Sequence, residues 1–318
     1  MPHLIITYGP AGSGKGFIRK KYTAVINSMY PQMDAIEYEN TFVAEIDHHV
    51  ENDGEYQNAV FVAICNFFDE CNPGVMRTPV SFSKHLRELL SDFETNEPCS
   101  ASRLSDRLTM IYQRFRTKYN STLDCEIQDA VKKKQHIIFE TTGQNRNPLD
   151  WLWQCPGNTQ DSEWTGPFCN VVGYVKTVVY PYVEPEMILS QATLRFIERV
   201  VSWYACLKEC KTHLSQKSFN GFQSCLRNQQ TVGVPRLPDL KELAELIPLA
   251  QDNIVPYIEN RFVDNIILFD NNRTESEPLY FNMKTKSQNT KRIIKFLSKC
   301  KNMSPLLKNT LLHMFVIP

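Results

Sequence analysis

His3-Leu4-Ile5-Ile6-Thr7-Tyr8 runs directly into Gly9-Pro10-Ala11-Gly12-Ser13-Gly14-Lys15-Gly16. A short apolar run closed by a glycine-rich turn and Gly-Lys predicts a strand, a phosphate cradle and a helix. Glycine is needed because the backbone must bend tightly and turn successive N–H groups inward. A phosphate then meets those N–H groups and the positive end of the following helix. Lys15 is placed to reach the outer phosphates of a nucleotide.

The pattern G-x-x-x-x-G-K-[ST] is met at Gly9, Gly14 and Lys15 and missed at Gly16, where a hydroxyl would ligate Mg²⁺. Nucleoside monophosphate kinases also carry Gly after the lysine and then supply Thr; here Phe17 follows. The predicted nucleotide-binding set is Gly9, Pro10, Ala11, Gly12, Ser13, Gly14, Lys15 and Gly16, with ATP and Mg²⁺ as ligands.

The 318 residues suffice for one large α/β domain with insertions. Thirty-five basic and 35 acidic residues cancel, so no global field favours nucleic acid or an anionic membrane. No apolar run approaches the roughly 20 residues of a membrane span. The apolar start is too short for a secretory leader, so a cytoplasmic location is expected. Ten scattered cysteines in such a chain read as reduced thiols. Cys206, Cys210, His213 and Cys225 form the tightest group, but without paired Cys-x-x-Cys knuckles.

Beyond the glycine-rich turn, residues 15–30 read as a basic amphipathic helix and Thr41–Asp47 as a strand ending in an acid. Residues 57–68, 83–93, 102–119 and 123–134 show helical spacing, giving a helical insertion over 50–130. Residues 135–143 read as a buried strand capped by Glu140-Thr141-Thr142-Gly143. Residues 170–180 and 263–270 read as further strands, and 184–213 as a long helix carrying Arg195 and Arg199 one turn apart. A short helix and an irregular loop are expected around Trp151, Trp153 and Trp164. From Lys284 to Pro318 there is no acid, which marks a basic helical C-terminal segment. The fold class expected is an α/β P-loop fold resembling nucleoside monophosphate kinases: one domain over 1–318, with a mostly parallel sheet of about five strands flanked by helices.

Phosphoryl transfer needs a cradle, a cation site, a base and mobile positive charge. Asp47, at a strand end, is the candidate base, with His48 and His49 as alternatives. Glu140 and Thr141 are candidates for acceptor binding. Glu140 and Asp47 are candidates for organising Mg²⁺ through water. Arg195 and Arg199 are the candidate phosphate clamp; the turn-rich stretch 215–238 holds Lys217, Arg227 and Arg236, of which Arg227 or Arg236 could complete a lid.

With these residues in view the chain resembles the zeta-toxin-like P-loop kinases, a group related to polynucleotide kinases and chloramphenicol phosphotransferase. The resemblance rests on Gly-Pro-Ala-Gly-Ser-Gly-Lys at 9–15, Ile-Asp at 46–47, Ile-Ile-Phe-Glu-Thr-Thr at 137–142, Arg195 and Arg199, and Val-Asp-Asn-Ile-Ile-Leu-Phe-Asp-Asn at 263–271. It implies transfer of the ATP γ-phosphate to a hydroxyl of a small molecule or nucleotide. Lys15 would bind phosphate, Asp47 act as base, Glu140 hold acceptor or organise metal, and Arg195 and Arg199 clamp the phosphates. Two other readings stand beside it. One is a nucleic-acid-end kinase, suggested by the basic C-terminal segment. The other is a nucleotide-binding regulator of weak activity, suggested by Gly16.

Overall fold

A computed structural model describes residues 1–10, 12–91, 97–143, 152–153, 155, 166–169, 171–216, 218–228, 240–272, 278–283 and 290–316. The chain divides into two compact units. The first comprises Met1–Glu45, Thr122–Gln191 and Asp239–Pro318, and the second Ile46–Ser121 and Ala192–Pro238. The helical insertion expected over 50–130 thus falls mostly in a unit that also takes a second, later stretch of chain.

The first unit is built on a six-stranded sheet: β1 (His3–Tyr8), β2 (Thr41–Ala44), β3 (His136–Thr141), β4 (Val175–Tyr182), β5 (Asn265–Asp270) and β6 (Leu279–Asn282). Their order is β2-β3-β1-β4-β5-β6. All neighbours are parallel except β5 and β6. This is one strand more than the sequence suggests, because β6 is short and only alternately buried. The mostly parallel α/β architecture is compatible with Rossmann-like and P-loop folds.

β1 is central, with Ile5 opposite Ile138 of β3 and Thr177 of β4. It is buried along its whole length, as a parallel strand covered on both faces should be. Helix α1 (Lys15–Met29) packs Ile18, Tyr22 and Ile26 onto Ile5, Ile138, Val179, Ile267 and Phe269. Each of these buried side chains contributes roughly 1.5–3 kcal/mol. In the basic C-terminal segment, α10 (Thr290–Lys299) and α11 (Pro305–Phe315) are helical as expected, and 284–289 and 317–318 lie outside the described residues.

The second unit is helical. It holds α2 (Ile46–Asn52), α3 (Gly54–Cys71), α4 (Pro79–Ser91) and α7 (Phe219–Asn228). It also takes the first part of α5 (Ala101–Lys132) and the later part of α6 (Pro185–Ser215). Its core holds Phe61, Phe67, Phe68, Phe82 and Phe222, with Phe68 stacked on Phe82 at 4.1 Å. The first unit also holds α8 (Leu240–Asp252) and α9 (Val255–Glu259).

Four expectations need correction. The strand expected over Thr41–Asp47 ends at Ala44, and Asp47 lies in the first turn of α2, where the helix dipole favours an acid. The two helices expected over 102–119 and 123–134 are one, because nothing in Asn120-Ser121-Thr122 stops a helix. The strand expected over 170–180 begins only at Val175, after the left-handed Gly173. The cysteines are not all reduced thiols: Cys71–Cys99, Cys155–Cys169 and Cys210–Cys225 are disulfides with Cα–Cα separations of 5.4, 4.9 and 5.8 Å. The folded helices bring together residues that look scattered along the chain. The Cys210–Cys225 bond also takes both of its thiols out of the group formed with Cys206 and His213. The segment around Trp151 and Trp164 lies outside the described residues, Leu152, Trp153 and Cys155 apart. No described helix is long and apolar enough to cross a membrane.

At the start of the sheet the His3 backbone N–H donates to His136 Nδ1 at 3.0 Å, and the two rings stack. Burial, then the His136 charge, pushes His3 down to about 4, and burial lowers His136 as well. The folded state therefore resists protons that the unfolded chain binds below about pH 6.5. Stability should fall as pH drops from 6.5 towards 4. Going from pH 7 to pH 5 should remove about 2 kcal/mol at His3 alone, a Tm loss of roughly 4–8 °C. Thermal melts of wild type and His3→Gln check this: the variant should lose much of the pH dependence, and identical profiles would exclude His3 as its source.

Candidate functional site

The exit of β1 forms the candidate site. β2 and β3 lie on one side of β1 and β4 and β5 on the other, so its carboxyl end is the point where the winding of the sheet reverses. Ligands of open α/β sheets gather at such points. The Gly9 N–H extends the ladder by donating to the Thr141 carbonyl at 3.2 Å. The chain then turns through Gly9 (φ 155°), Gly12 (φ 87°) and Gly14 (φ 78°) before α1 begins at Lys15. These are conformations that side chains resist.

The loop is tied from two sides. Ser13 N–H donates to the Pro10 carbonyl at 3.2 Å, and Asn271 Nδ2, just past β5, donates to the Ser13 carbonyl at 2.9 Å. A Cβ on Gly9 would come within 2.5 Å of Ser13 Oγ, and one on Gly14 within 2.5 Å of Asn271 Nδ2. On Gly16 it would meet nothing within 4 Å.

The electrostatics suit an anion. α1 has no side-chain cap and no acid in its first turn. Among the described residues nothing accepts the Gly14 or Gly16 N–H. Ser13 Oγ is buried with no hydrogen-bond partner among them. The Lys15 ammonium folds back onto the loop, donating to the Gly9 carbonyl at 2.7 Å and the Pro10 carbonyl at 3.3 Å. These groups fit the phosphates of a nucleotide.

They do not fit Mg²⁺ as the sequence suggests. Gly16 and Phe17 supply no hydroxyl. Glu140 Oε1, at the end of β3, accepts a hydrogen bond from Arg19 Nη2 at 2.7 Å, and the same nitrogen pairs with Glu45. Burial opposes the Arg19 charge, but the bonds to Glu140 and Glu45 outweigh it and hold the guanidinium above its already high range. Among the described residues no group of three or more His, Cys, Asp or Glu side chains is placed to hold a metal ion.

Gly9, Pro10, Gly12, Ser13, Gly14, Lys15, Gly16, Glu140 and Thr141 therefore lie together in the first unit. Thr141 is fixed by its carbonyl on Gly9 and by its hydroxyl, which accepts the Gly143 N–H at 3.2 Å. Asp47, Arg195 and Arg199 belong to the second unit. There Asp47 accepts a hydrogen bond from the Tyr112 hydroxyl. His48 contacts Asn52, and His49 stacks on Tyr119 at 5.7 Å. Arg195 is exposed on α6. Ala11, Lys217, Arg236 and the side chains of Arg199 and Arg227 lie outside the described residues.

Three contributors escaped the sequence reading. Arg19 stands four residues after Lys15, on the same face of α1, and that spacing is a usable signal. Glu45 was passed over for Asp47. Asn271 carries no local signal, because its role depends on β5 lying two strands from β1. Searches of protein-family profiles and of curated protein sequences find no match to the chain.

Replacing Gly14 by Ala should cost about 1–3 kcal/mol, because it meets both the left-handed backbone and Asn271. Gly16→Ser should change stability by less than about 1 kcal/mol, and in the stabilising direction, since its helical site is open. Urea denaturation of the two variants checks the contrast, and equal costs would remove the claim that the turn at Gly14 is sterically specified.

Proposed function

We propose that the Gly9–Gly16 loop is a P-loop that binds the phosphates of ATP, and that the chain is a phosphotransferase acting on a hydroxyl of a small molecule or nucleotide. The observation that carries the reading is the loop itself. Left-handed glycines lead from the central strand into an uncapped helix whose first residue is a lysine folded onto the loop carbonyls. A polyphosphate would draw the Lys15 ammonium off the Gly9 and Pro10 carbonyls, exchanging neutral acceptors for charged ones. The Gly14 and Gly16 N–H groups and the Ser13 hydroxyl would then donate to the remaining oxygens.

The transfer step draws on the zeta-toxin-like resemblance. In that reading Asp47 takes the acceptor proton as the hydroxyl attacks, and Tyr112 orients its carboxylate. Arg195 and Arg199 offset the charge that develops on the transferred group. Glu140, held by Arg19, is a support for α1 and β3 rather than an open ligand.

One observation favours a second reading, a nucleotide-binding protein of little or no transfer activity. Gly16 supplies no hydroxyl and Glu140 is paired with Arg19, so of the groups expected to serve a cation Asp47 alone stands outside these two constraints. Thermal melts with ATP and ADP, on wild type and Lys15→Ala, test what the two readings share. A ligand-induced rise in Tm that Lys15→Ala abolishes is expected, and its absence with every nucleotide would end both. Labelled ATP with pooled hydroxyl acceptors separates them. Transfer that Asp47→Asn lowers by about 10²-fold or more supports the kinase, and binding without transfer supports the regulator.

A further inference from the structure

Resting on nucleotide binding at Gly9–Gly16, we infer that this site binds nucleotide without requiring Mg²⁺, with Arg19 supplying part of the charge compensation that a bridging Mg²⁺ gives in other phosphate loops. Two independent features lead here. The first is covalent. A phosphate loop holds Mg²⁺ through a hydroxyl directly after the lysine, and neither Gly16 nor Phe17 has one. Phe17 turns outward, 65% exposed, with the Lys21 ammonium 5.1 Å from its ring. No neighbouring side chain fills the space beside Gly16 that a hydroxyl-bearing residue would occupy.

The second feature is the state of the acids. Mg²⁺ demands near-octahedral oxygen ligands at about 2.0–2.1 Å and gives up its waters reluctantly. Glu140, only 19% exposed, and Glu45 are the carboxylates paired with α1 at the ends of β3 and β2. One guanidinium nitrogen of Arg19 joins them. A monovalent cation fixed to the fold thus lies between two acids where a divalent ion would otherwise be sought.

The consequence is electrostatic. Unpaired carboxylates beside a phosphate cradle repel a bare polyphosphate, and a divalent cation normally cancels that repulsion. Here Arg19 offsets one of the two carboxylate charges and ties up an oxygen of each, so the repulsion a bare polyphosphate meets is reduced. The cradle presents Lys15, the α1 amino end and the N–H groups of Gly14 and Gly16. Metal-free and Mg²⁺-loaded nucleotide should therefore bind with nearly the same affinity.

Titration calorimetry with ADP and ATP, in excess EDTA and in millimolar Mg²⁺, tests this on the full chain. Wild-type dissociation constants in the two conditions should agree within about threefold. In Arg19→Gln, binding in EDTA should weaken by about tenfold or more, and Mg²⁺ should restore much of the loss. Arg19→Lys keeps the charge and should stay near wild type, which guards against an effect of misfolding alone. Gly16→Ser in the Arg19→Gln background should steepen the Mg²⁺ dependence further.

Wild-type binding tighter by more than about tenfold in Mg²⁺ would overturn the inference while leaving nucleotide binding intact. EDTA affinity unchanged in Arg19→Gln would remove Arg19 from it. No binding in either condition would overturn both the inference and the reading on which it rests.

Discussion

The chain must leave a fully buried strand and enter a helix within six residues, and most of the candidate site follows from that constraint. Gly9 must both finish a β-ladder against Thr141 and turn away from it. Gly14 must adopt a left-handed conformation immediately before α1. A side chain at either position would strike Ser13 or Asn271, so the residue types are dictated by space as well as by backbone torsion. The Phe17 and Ile18 N–H groups turn back onto the Gly14 carbonyl, while among the described residues the Gly14 and Gly16 N–H groups have no acceptor. In a protein of ordinary packing, unsatisfied helix ends find a capping side chain, water or a ligand. Among the described residues this end has no capping side chain, and Glu140 and Glu45 are held by Arg19.

Charge distribution around the turn suits an anion, and two cations of α1 contribute to it differently. Lys15 and Arg19 lie one turn apart on α1 but do different work. Lys15 bonds to carbonyl oxygens, weak acceptors that a phosphate would outcompete. Arg19 is held by two carboxylates and is far harder to draw away. The first is tied to the loop backbone, and the second is tied to two strand ends. That difference cannot be read from residue type, since either cation could play either part in an isolated helix.

Much of the sheet was legible because parallel strands are buried on both faces and appear as continuous apolar runs. Leu4–Ile6, Ile137–Phe139 and Ile266–Phe269 are such runs, and each is a strand. β2 was misjudged at its end because Phe42-Val43-Ala44 is short and Ile46 prolongs the apolar pattern into what is the first turn of α2. The glycine-rich turn was legible because its residues are contiguous and Gly9, Gly12 and Gly14 each take a backbone conformation that favours glycine. The contributions of Arg19, Glu45 and Asn271 were not. They arise from strand order, which places the ends of β2, β3 and β5 around β1, and no local pattern encodes strand order. The disulfides were missed for the same reason, since 28 residues separate Cys71 from Cys99 and only the fold closes that gap.

The division of the chain into two units gives the functional question a physical form. Every group proposed to bind the nucleotide lies in the first unit: Gly9 to Gly16, with Arg19 and Glu140 behind them. Every group proposed to act on an acceptor lies in the second: Asp47 with Tyr112, Arg195 and Arg199. Binding energy for the nucleotide can therefore be complete without any help from the second unit. Catalysis cannot, because only interactions that strengthen in the transition state raise the rate, and the base and clamp are the groups that would supply them. A chain that kept the first unit intact while its second unit diverged would retain nucleotide affinity and lose transfer. The two proposed readings share the groups of the first unit and differ only in whether those of the second act, so affinity for nucleotide alone cannot tell them apart.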